Sequence, residues 1–214
     1  MKKRICVCIV LWIGLLAAFG LGWPRPSAVS EDGQWTLNIK YEHPVQITVT
    51  LPGGRGSQRF WYMIISLTNE SGKDEVPFFP KCELVTDTFQ ILPSGRGVPD
   101  GLFEIVKAKY QGSYPFLESF DFTDNRILHG KDNTRDFVIF WPDFDPHTKT
   151  IQFYLAGLSN ETTAIAHPVL VDEAGNPLPV YLQKTLQLTY SIGADPQLRQ
   201  NASLHYEGQD WVMR

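Results

Sequence analysis

Residues 59–69, with the sequence RFWYMIISLTN, constrain the fold of this chain more than any other stretch. In a β-strand, Phe60 and Tyr62 would point to one face and Trp61 and Met63 to the other. Both faces are apolar, which is typical of a central strand that is covered on each side rather than of an edge strand. Turn-forming residues follow in Asn-Glu-Ser-Gly-Lys-Asp and predict the end of the strand. The stretch therefore predicts a β-rich domain built around a buried strand.

The first 22 residues have the composition of an export signal. Basic residues 2–4 precede an apolar run over residues 5–19, and small residues follow it up to Gly22. The run is shorter than the roughly 20 apolar residues that span a bilayer. We predict an N-terminal apolar leader helix over residues 1–22, either a signal peptide or an uncleaved anchor that inserts residues 5–22 in the inner membrane. The predicted location is the periplasm or the extracellular space.

Charge and cysteine content exclude several kinds of partner and site. Removal of residues 1–22 takes away Lys2, Lys3 and Arg4 and no acid, which changes the formal charge from -4 to -7. A negative domain is not expected to bind nucleic acid or an anionic membrane surface. Beyond the leader only Cys82 remains, so no intramolecular disulfide and no cysteine zinc site is expected. Cys82 itself is predicted to be a buried strand residue.

The rest of the chain predicts one antiparallel sandwich. About eight to ten short strands at intervals of roughly 8–12 residues, without alternating helices, favour this class. One inserted α-helix is predicted at about residues 99–111, because acids lie near its start and Lys107 and Lys109 near its end. We therefore divide the chain into the leader, a linker over residues 23–33, a sandwich domain over residues 34–193, and a polar C-terminal tail over residues 194–214.

The segment FWYMIISLTNESGKD, residues 60–74, resembles a strand-and-turn signature of exported bacterial immunoglobulin-like domains. The matching residues are Phe60, Tyr62, Leu67, Asn69, Gly72 and Asp74. The chain is also similar to secreted bacterial proteins that combine such a segment with a loop like KDNTRDFVIFWP, residues 131–142. The resemblance implies an immunoglobulin-like β-sandwich and no particular activity. The chain departs from the antibody-type pattern, because it lacks the cysteine pair between the sheets.

Two groups of residues are candidates for a binding site. The first comprises His129, Asp132 and Arg135 in a polar loop, where they could form a binding rim, or a loop in which Arg135 clamps a neighbouring carboxylate. The second comprises Tyr114 and Phe116 in an aromatic segment that could line a sugar-binding groove or pack against the core.

Asp143 and Asp145 are weak candidates for a calcium site, because their oxygens are spaced like the first ligands of a calcium loop. The further ligands of such a loop do not follow at useful spacing, and a turn between strands explains the residues better. We predict no metal and no cofactor.

The sequence predicts no catalytic residues, because it contains no nucleophile elbow and no paired-histidine zinc motif. The function expected from these observations is a non-catalytic interaction or structural module of the envelope, with a contact surface at residues 102–135. The partner would be an envelope protein or a glycan. The alternatives are a carbohydrate-binding module and, with less support, a hydrolase.

Overall fold

A computed structural model describes residues 33–214, apart from residues 52, 54, 55, 122–124, 194, 196 and 198–200. The predicted leader, and the predicted linker apart from Gly33, lie outside this part of the chain. Strands account for 55% of the structure and helices for 9%, so the all-β prediction is confirmed. The strands are β1 (Asn38–Tyr41), β2 (Val45–Thr50), β3 (Ser57–Thr68), β4 (Glu75–Pro77), β5 (Lys81–Thr86), β6 (Ile91–Pro93), β7 (Glu118–Ser119), β8 (Arg126–Leu128), β9 (Arg135–Pro142), β10 (Thr150–Ala156), β11 (Thr162–Val171), β12 (Pro177–Ile192) and β13 (Leu204–Met213), with helix α1 (Leu102–Tyr110) between β6 and β7.

The first sheet is centred on β3, as the apolar stretch predicted. β9 pairs antiparallel with one side of β3, and β1 and β2 pair with successive halves of its other side. The short strand β7 adds to β9 in parallel. From Phe60 to Ile65, every side chain of β3 is at least 98% buried. A strand with neighbours on both edges and cover on both faces is what such a run of apolar residues requires.

The second sheet contains six strands around the long strand β12. β10, β5 and β6 follow one another on one side of β12, and β13 pairs with its other side. β11 pairs with the first part of β12. The backbone nitrogen of Lys184 donates to Glu161, which precedes β11, whereas that of Gln183 donates to Arg214, which follows β13. β11 therefore lies on the same side of β12 as β10, and β13 lies on the opposite side.

The two sheets pack face to face and enclose the main core. Trp61, Ile139 and Trp141 of the first sheet form one buried cluster with Phe153 and Leu188 of the second. The ring centroids of Trp141 and Phe153 are 4.7 Å apart across the interface. Each large apolar side chain buried in this way stabilises the fold by roughly 1.5–3 kcal/mol. A sandwich-like arrangement follows directly from this shared core.

Helix α1 covers the other face of the first sheet. Leu102 and Val106 of the helix are buried in a second cluster with Phe60, Tyr62 and Ile64 of β3. The helix predicted at about residues 99–111 is therefore present, and the cover that it provides explains why both faces of β3 are apolar. Among the described residues, no helix is long and apolar enough to cross a membrane.

Asn69 organises the turn after β3. Its side chain is fully buried, and its Nδ2 donates to the carbonyl oxygens of Lys73 at 3.1 Å and Ile127 at 3.3 Å. Its Oδ1 accepts from the backbone nitrogen of Ser71 at 3.1 Å and from the Ser71 hydroxyl at 2.7 Å. Gly72 has a φ of +79°, which a glycine adopts without strain. The turn residues of the sequence signature thus join β3 to the strand pair β4 and β8.

The C-terminal residues differ from the predicted polar tail. β13 runs along β12 from Leu204, opposite Ile192, to Met213, opposite Lys184. Most of its side chains are exposed, so the strand is held mainly by backbone hydrogen bonds to β12. Such bonds need no apolar side chains, and a polar edge strand therefore resembles a loose tail in sequence.

Candidate functional site

The polar loop that carries His129, Asp132 and Arg135 is tied to the body. The backbone nitrogen of His129 donates to the carbonyl of Asp74 at 2.8 Å, and Asp132 lies exposed in a short 3-10 turn. The Arg135 guanidinium donates to both carboxylate oxygens of Glu118, at 2.9 and 2.5 Å, and stacks 5.0 Å from the ring centroid of Phe137. Arg135 therefore joins β9 to β7, and this geometry matches the structural alternative of the sequence analysis.

The two aromatic candidates do not line a common groove. Tyr114 is half-buried, its hydroxyl donates to Glu42 at 2.8 Å, and its ring packs 6.1 Å from that of Tyr110. The hydrogen bond to Glu42, together with burial and the negative charges of Glu42 and Asp136, raises the pKa of Tyr114 to about 12. Phe116, by contrast, is 83% exposed. Tyr114 thus anchors the segment after α1, while Phe116 stands free at its surface.

Asp143 and Asp145 serve in local structure. Asp143 accepts from the Arg59 guanidinium at 2.6 and 2.8 Å and from the indole nitrogen of Trp61 at 2.8 Å. Asp145 accepts from the backbone nitrogen of His147 at 2.8 Å, which with the hydrogen bond from the His147 ring lowers the pKa of Asp145. Among the described residues, no three histidine, cysteine, aspartate or glutamate side chains are grouped to hold a metal ion.

A polar trough of about 420 Å³ lies on the outer face of the first sheet, beyond the part that α1 covers. It is lined by Asn38, Lys40, Ser66, Thr68, Glu70, Lys131 and Thr134. The Ser66 hydroxyl donates to Asp136 at 2.5 Å, and the hydroxyls of Thr68 and Thr134 are 2.8 Å apart. Many of the trough's polar atoms therefore bond to one another, and the trough contains no aromatic ring on which a sugar could stack.

Among the described residues, several exposed apolar side chains are grouped on a two-stranded ribbon, which we call the arm. It consists of β11 (Thr162–Val171), the turn at residues 172–176 and the first part of β12, residues 177–182. β13 ends opposite Lys184, so this part of the ribbon projects past it with only two paired strands. Six apolar side chains of the arm are each at least 38% exposed: Ile165, Val169, Leu170, Val171, Leu178 and Tyr181.

The apolar face of the arm continues the core-facing side of β12. Leu186, Leu188, Tyr190 and Ile192 point into the core, and alternation along the strand places Leu178, Val180 and Leu182 on the same side. Lys184, which is ion-paired with Glu161, separates the two groups on this side. Ile165 of β11 lies opposite Val180 and joins this stripe. Leu178 and Ile165 are 38% and 48% exposed, which shows that the first sheet does not extend over the stripe. The arm therefore presents an uncovered strip of core-like surface.

A hydrogen-bonded turn and bulge shape the arm. In the turn, Asp172 Oδ1 accepts from the backbone nitrogens of Ala174 at 2.9 Å and Asn176 at 2.8 Å. In β11, the His167 Nδ1 accepts from the backbone nitrogens of Val169 at 3.1 Å and Leu170 at 2.7 Å, where the pairing with β12 shifts register. These bonds give the arm a defined shape in spite of its exposure.

Comparison with known proteins identifies no relative. No family model matches the chain, and neither a curated protein nor a solved structure matches it. The candidate site therefore rests on the structure itself.

The sequence of residues 169–182 predicts two short strands around residues 173–177, at the observed turn, but it does not predict the arm. The signal that could have identified the arm is the composition of its strands, residues 162–171 and 177–182, which contain several apolar residues and no Asp, Glu, Lys or Arg. Such composition usually indicates burial, and three prolines make a central strand implausible.

Proposed function

We propose that this chain is an exported, non-catalytic interaction protein of the cell envelope, in which the arm contacts a partner protein. The observation that carries the proposal is the exposed apolar stripe of the arm, which lies on the core-facing side of β12 beyond the Lys184–Glu161 ion pair. Soluble proteins rarely expose contiguous apolar surface without a function, and such surface typically marks an interface. An isolated two-stranded ribbon is also only marginally stable in water, so a partner would stabilise it.

The chemistry of the arm defines the kind of partner. Its strands contain no Asp, Glu, Lys or Arg, and the two acidic side chains of the arm, Asp172 and Glu173, are confined to its turn. The surface that complements it is therefore apolar, as in the core of a protein interface. A nucleic acid does not have this chemistry, in agreement with the negative charge of the chain.

The proposal includes export of the protein and an immunoglobulin-like fold. The basic start and apolar run of residues 1–22 support export, after which the leader is either cleaved or kept as a membrane anchor. Two antiparallel sheets that share one core support the immunoglobulin-like identity, as does the sequence signature, which forms β3 and the turn at Asn69. The lack of a cysteine pair between the sheets sets this body apart from antibody domains.

Two carboxylates in the region that the sequence favoured and in its neighbourhood are held by arginines. Glu118 accepts from Arg135, and Asp143 accepts from Arg59. The carbohydrate-binding alternative stays a prediction of the sequence. Tyr114 and Phe116 do not line a common groove, because the Tyr114 hydroxyl bonds to Glu42 and Phe116 is exposed.

The test compares two charge insertions on exposed surfaces. Tagged full-length protein is crosslinked in native envelopes, captured, and identified with its partners by mass spectrometry. We expect Ile165→Asp combined with Leu178→Asp to abolish capture of a stoichiometric partner, because carboxylates cannot enter an apolar interface without a large desolvation cost. Phe116→Asp, at a more exposed position in the region that the sequence favoured, is expected to retain the partner. Capture that survives the arm substitutions, or that is lost only with Phe116→Asp, would contradict the proposal.

A further inference from the structure

A cleft of about 240 Å³ opens beside the start of helix α1, and among the described residues it shares none with the arm or the polar trough. Its apolar side chains include Val98 and Phe103, and Phe140 of β9, which is 2% exposed, lies at its base. Its polar side chains are two serines and two aspartates, and none of the described residues that line it is cationic. A mainly apolar cavity with a few polar groups is typical of a small-molecule site.

Asp121 lies in this cleft with one carboxylate oxygen that has no partner. Its Oδ1 accepts from the Ser94 hydroxyl at 2.9 Å, and no described residue donates to its Oδ2. Oδ2 lies against Gly95, where an added Cβ would be only 2.5 Å away. Partial burial of the carboxyl group raises the pKa of Asp121, and the hydrogen bond from Ser94 acts against this. Asp121 is therefore a partly desolvated carboxylate without a cationic neighbour.

The remaining polar side chains of the cleft are also unpaired acceptors. Within the described part of the chain, the Asp100 carboxylate and the Ser119 hydroxyl form no hydrogen bond. Asp100 precedes Gly101, the N-cap of α1, where its charge offsets the partial positive charge of the helix start. The negative charge of Asp121 has no such compensation from the described residues. The cleft thus combines apolar walls with oxygen acceptors and an unbalanced negative charge.

We propose that this cleft binds a small primary alkylammonium ion, with the charged nitrogen on Asp121 and the alkyl chain against Phe103 and Phe140. An ammonium group has three N–H donors and no acceptor, which suits Asp121 Oδ2 and the neighbouring oxygens of Asp100 and Ser119. The phenyl rings contact the chain and also attract a nearby positive charge. The volume of the cleft limits the ligand to a few carbon atoms. The site is separate from the proposed contact of the arm with a partner protein.

Thermal unfolding of the full-length protein in n-butylammonium chloride tests the site. We expect the melting temperature to rise with concentration and to saturate, because a ligand that binds the folded state stabilises it. Ammonium chloride provides the charge without the chain, and n-butanol provides the chain without the charge. Neither is expected to give a saturable rise at the same concentration. A rise with ammonium chloride equal to that with n-butylammonium, or no saturable rise with n-butylammonium, would overturn the proposal.

Asp121→Asn removes the negative charge and keeps the shape of the side chain. We expect the affinity for n-butylammonium to fall roughly tenfold or more, since hydrogen bonds to charged groups are the stronger ones. The folded state disfavours the ionised form of Asp121, so the melting temperature without ligand is expected to stay the same or to rise. Loss of binding is then separate from loss of folding.

Asp74→Asn is the matched control, because it makes the same change at an exposed position outside the cleft. We expect it to bind n-butylammonium as the unsubstituted protein does. An equal loss of affinity in both variants would show unspecific attraction of a cation to a negative protein and would overturn the proposal. Nα-acetyl-lysine methylamide carries the same butylammonium chain on a peptide backbone. Binding of n-butylammonium alone assigns the cleft to a free amine, binding of both extends it to lysine side chains, and binding of neither overturns it.

Discussion

Replacement of Ile64 by aspartate is expected to unfold the domain. Ile64 is 2% exposed at the middle of β3, where it packs with Leu102 and Val106 beneath helix α1. A carboxylate in this position has no cationic partner, and its burial costs several kcal/mol in addition to the lost apolar contacts. Domains of this size are stable by only about 5–15 kcal/mol. We therefore expect a loss of at least about 4 kcal/mol, with aggregation or a non-cooperative thermal transition.

The matched control is Ile165→Asp, which makes the same chemical change on an exposed strand. Circular dichroism during heating is expected to show a cooperative transition close to that of the unsubstituted protein, because surface changes usually cost less than about 0.5 kcal/mol. A soluble Ile64→Asp variant that melts cooperatively near the original temperature would contradict the placement of β3 at the centre of the sheet.

Replacement of Asn69 by leucine is expected to cause the second-largest loss of stability. Leucine has a similar branched shape but is larger, and it cannot bond to the carbonyls of Lys73 and Ile127 or to the Ser71 nitrogen. Each buried polar group left without a partner costs about 1–3 kcal/mol. We expect a total loss of about 3 kcal/mol, which lowers the melting temperature by roughly 6–12 °C for a domain of this length.

Asn38→Leu provides the comparison for Asn69. Asn38 is exposed on β1, and its side chain bonds to Glu70. Denaturant titration is expected to give a free energy of unfolding within about 1 kcal/mol of the unsubstituted value, since water replaces an exposed bond. Similar losses for the two variants would show that the Asn69 network does not hold the turn.

Parts of the fold with a strong local pattern could be predicted from the sequence. β3 is apolar on both faces for half its length, and α1 has acids near its start and lysines in its last turn. Each pattern is contained within the residues of the element itself. Both elements lie where the sequence predicts them.

Features that depend on distant partners could not be predicted. β13 is polar and is recognised only by its pairing with β12, and β8 is a three-residue strand within a predicted loop. The exposure of the arm depends on where the first sheet and β13 end, and both ends lie outside residues 162–182. The same limit applies to the binding candidates. That Arg135 would clamp a carboxylate was one alternative of the sequence, but its partner Glu118 is brought near only by the pairing of β7 with β9.

The arm, and not the surface at residues 102–135, is expected to contact the partner. Site-specific photo-crosslinking in the native envelope tests this most directly, with benzoylphenylalanine placed at Ile165, on the apolar stripe of the arm, in one variant and at Phe116 in another. These positions are 48% and 83% exposed, so access does not favour the position on the arm. We predict a discrete crosslinked protein from position 165 and only background from position 116. A specific product from position 116, with none from position 165, would contradict this expectation.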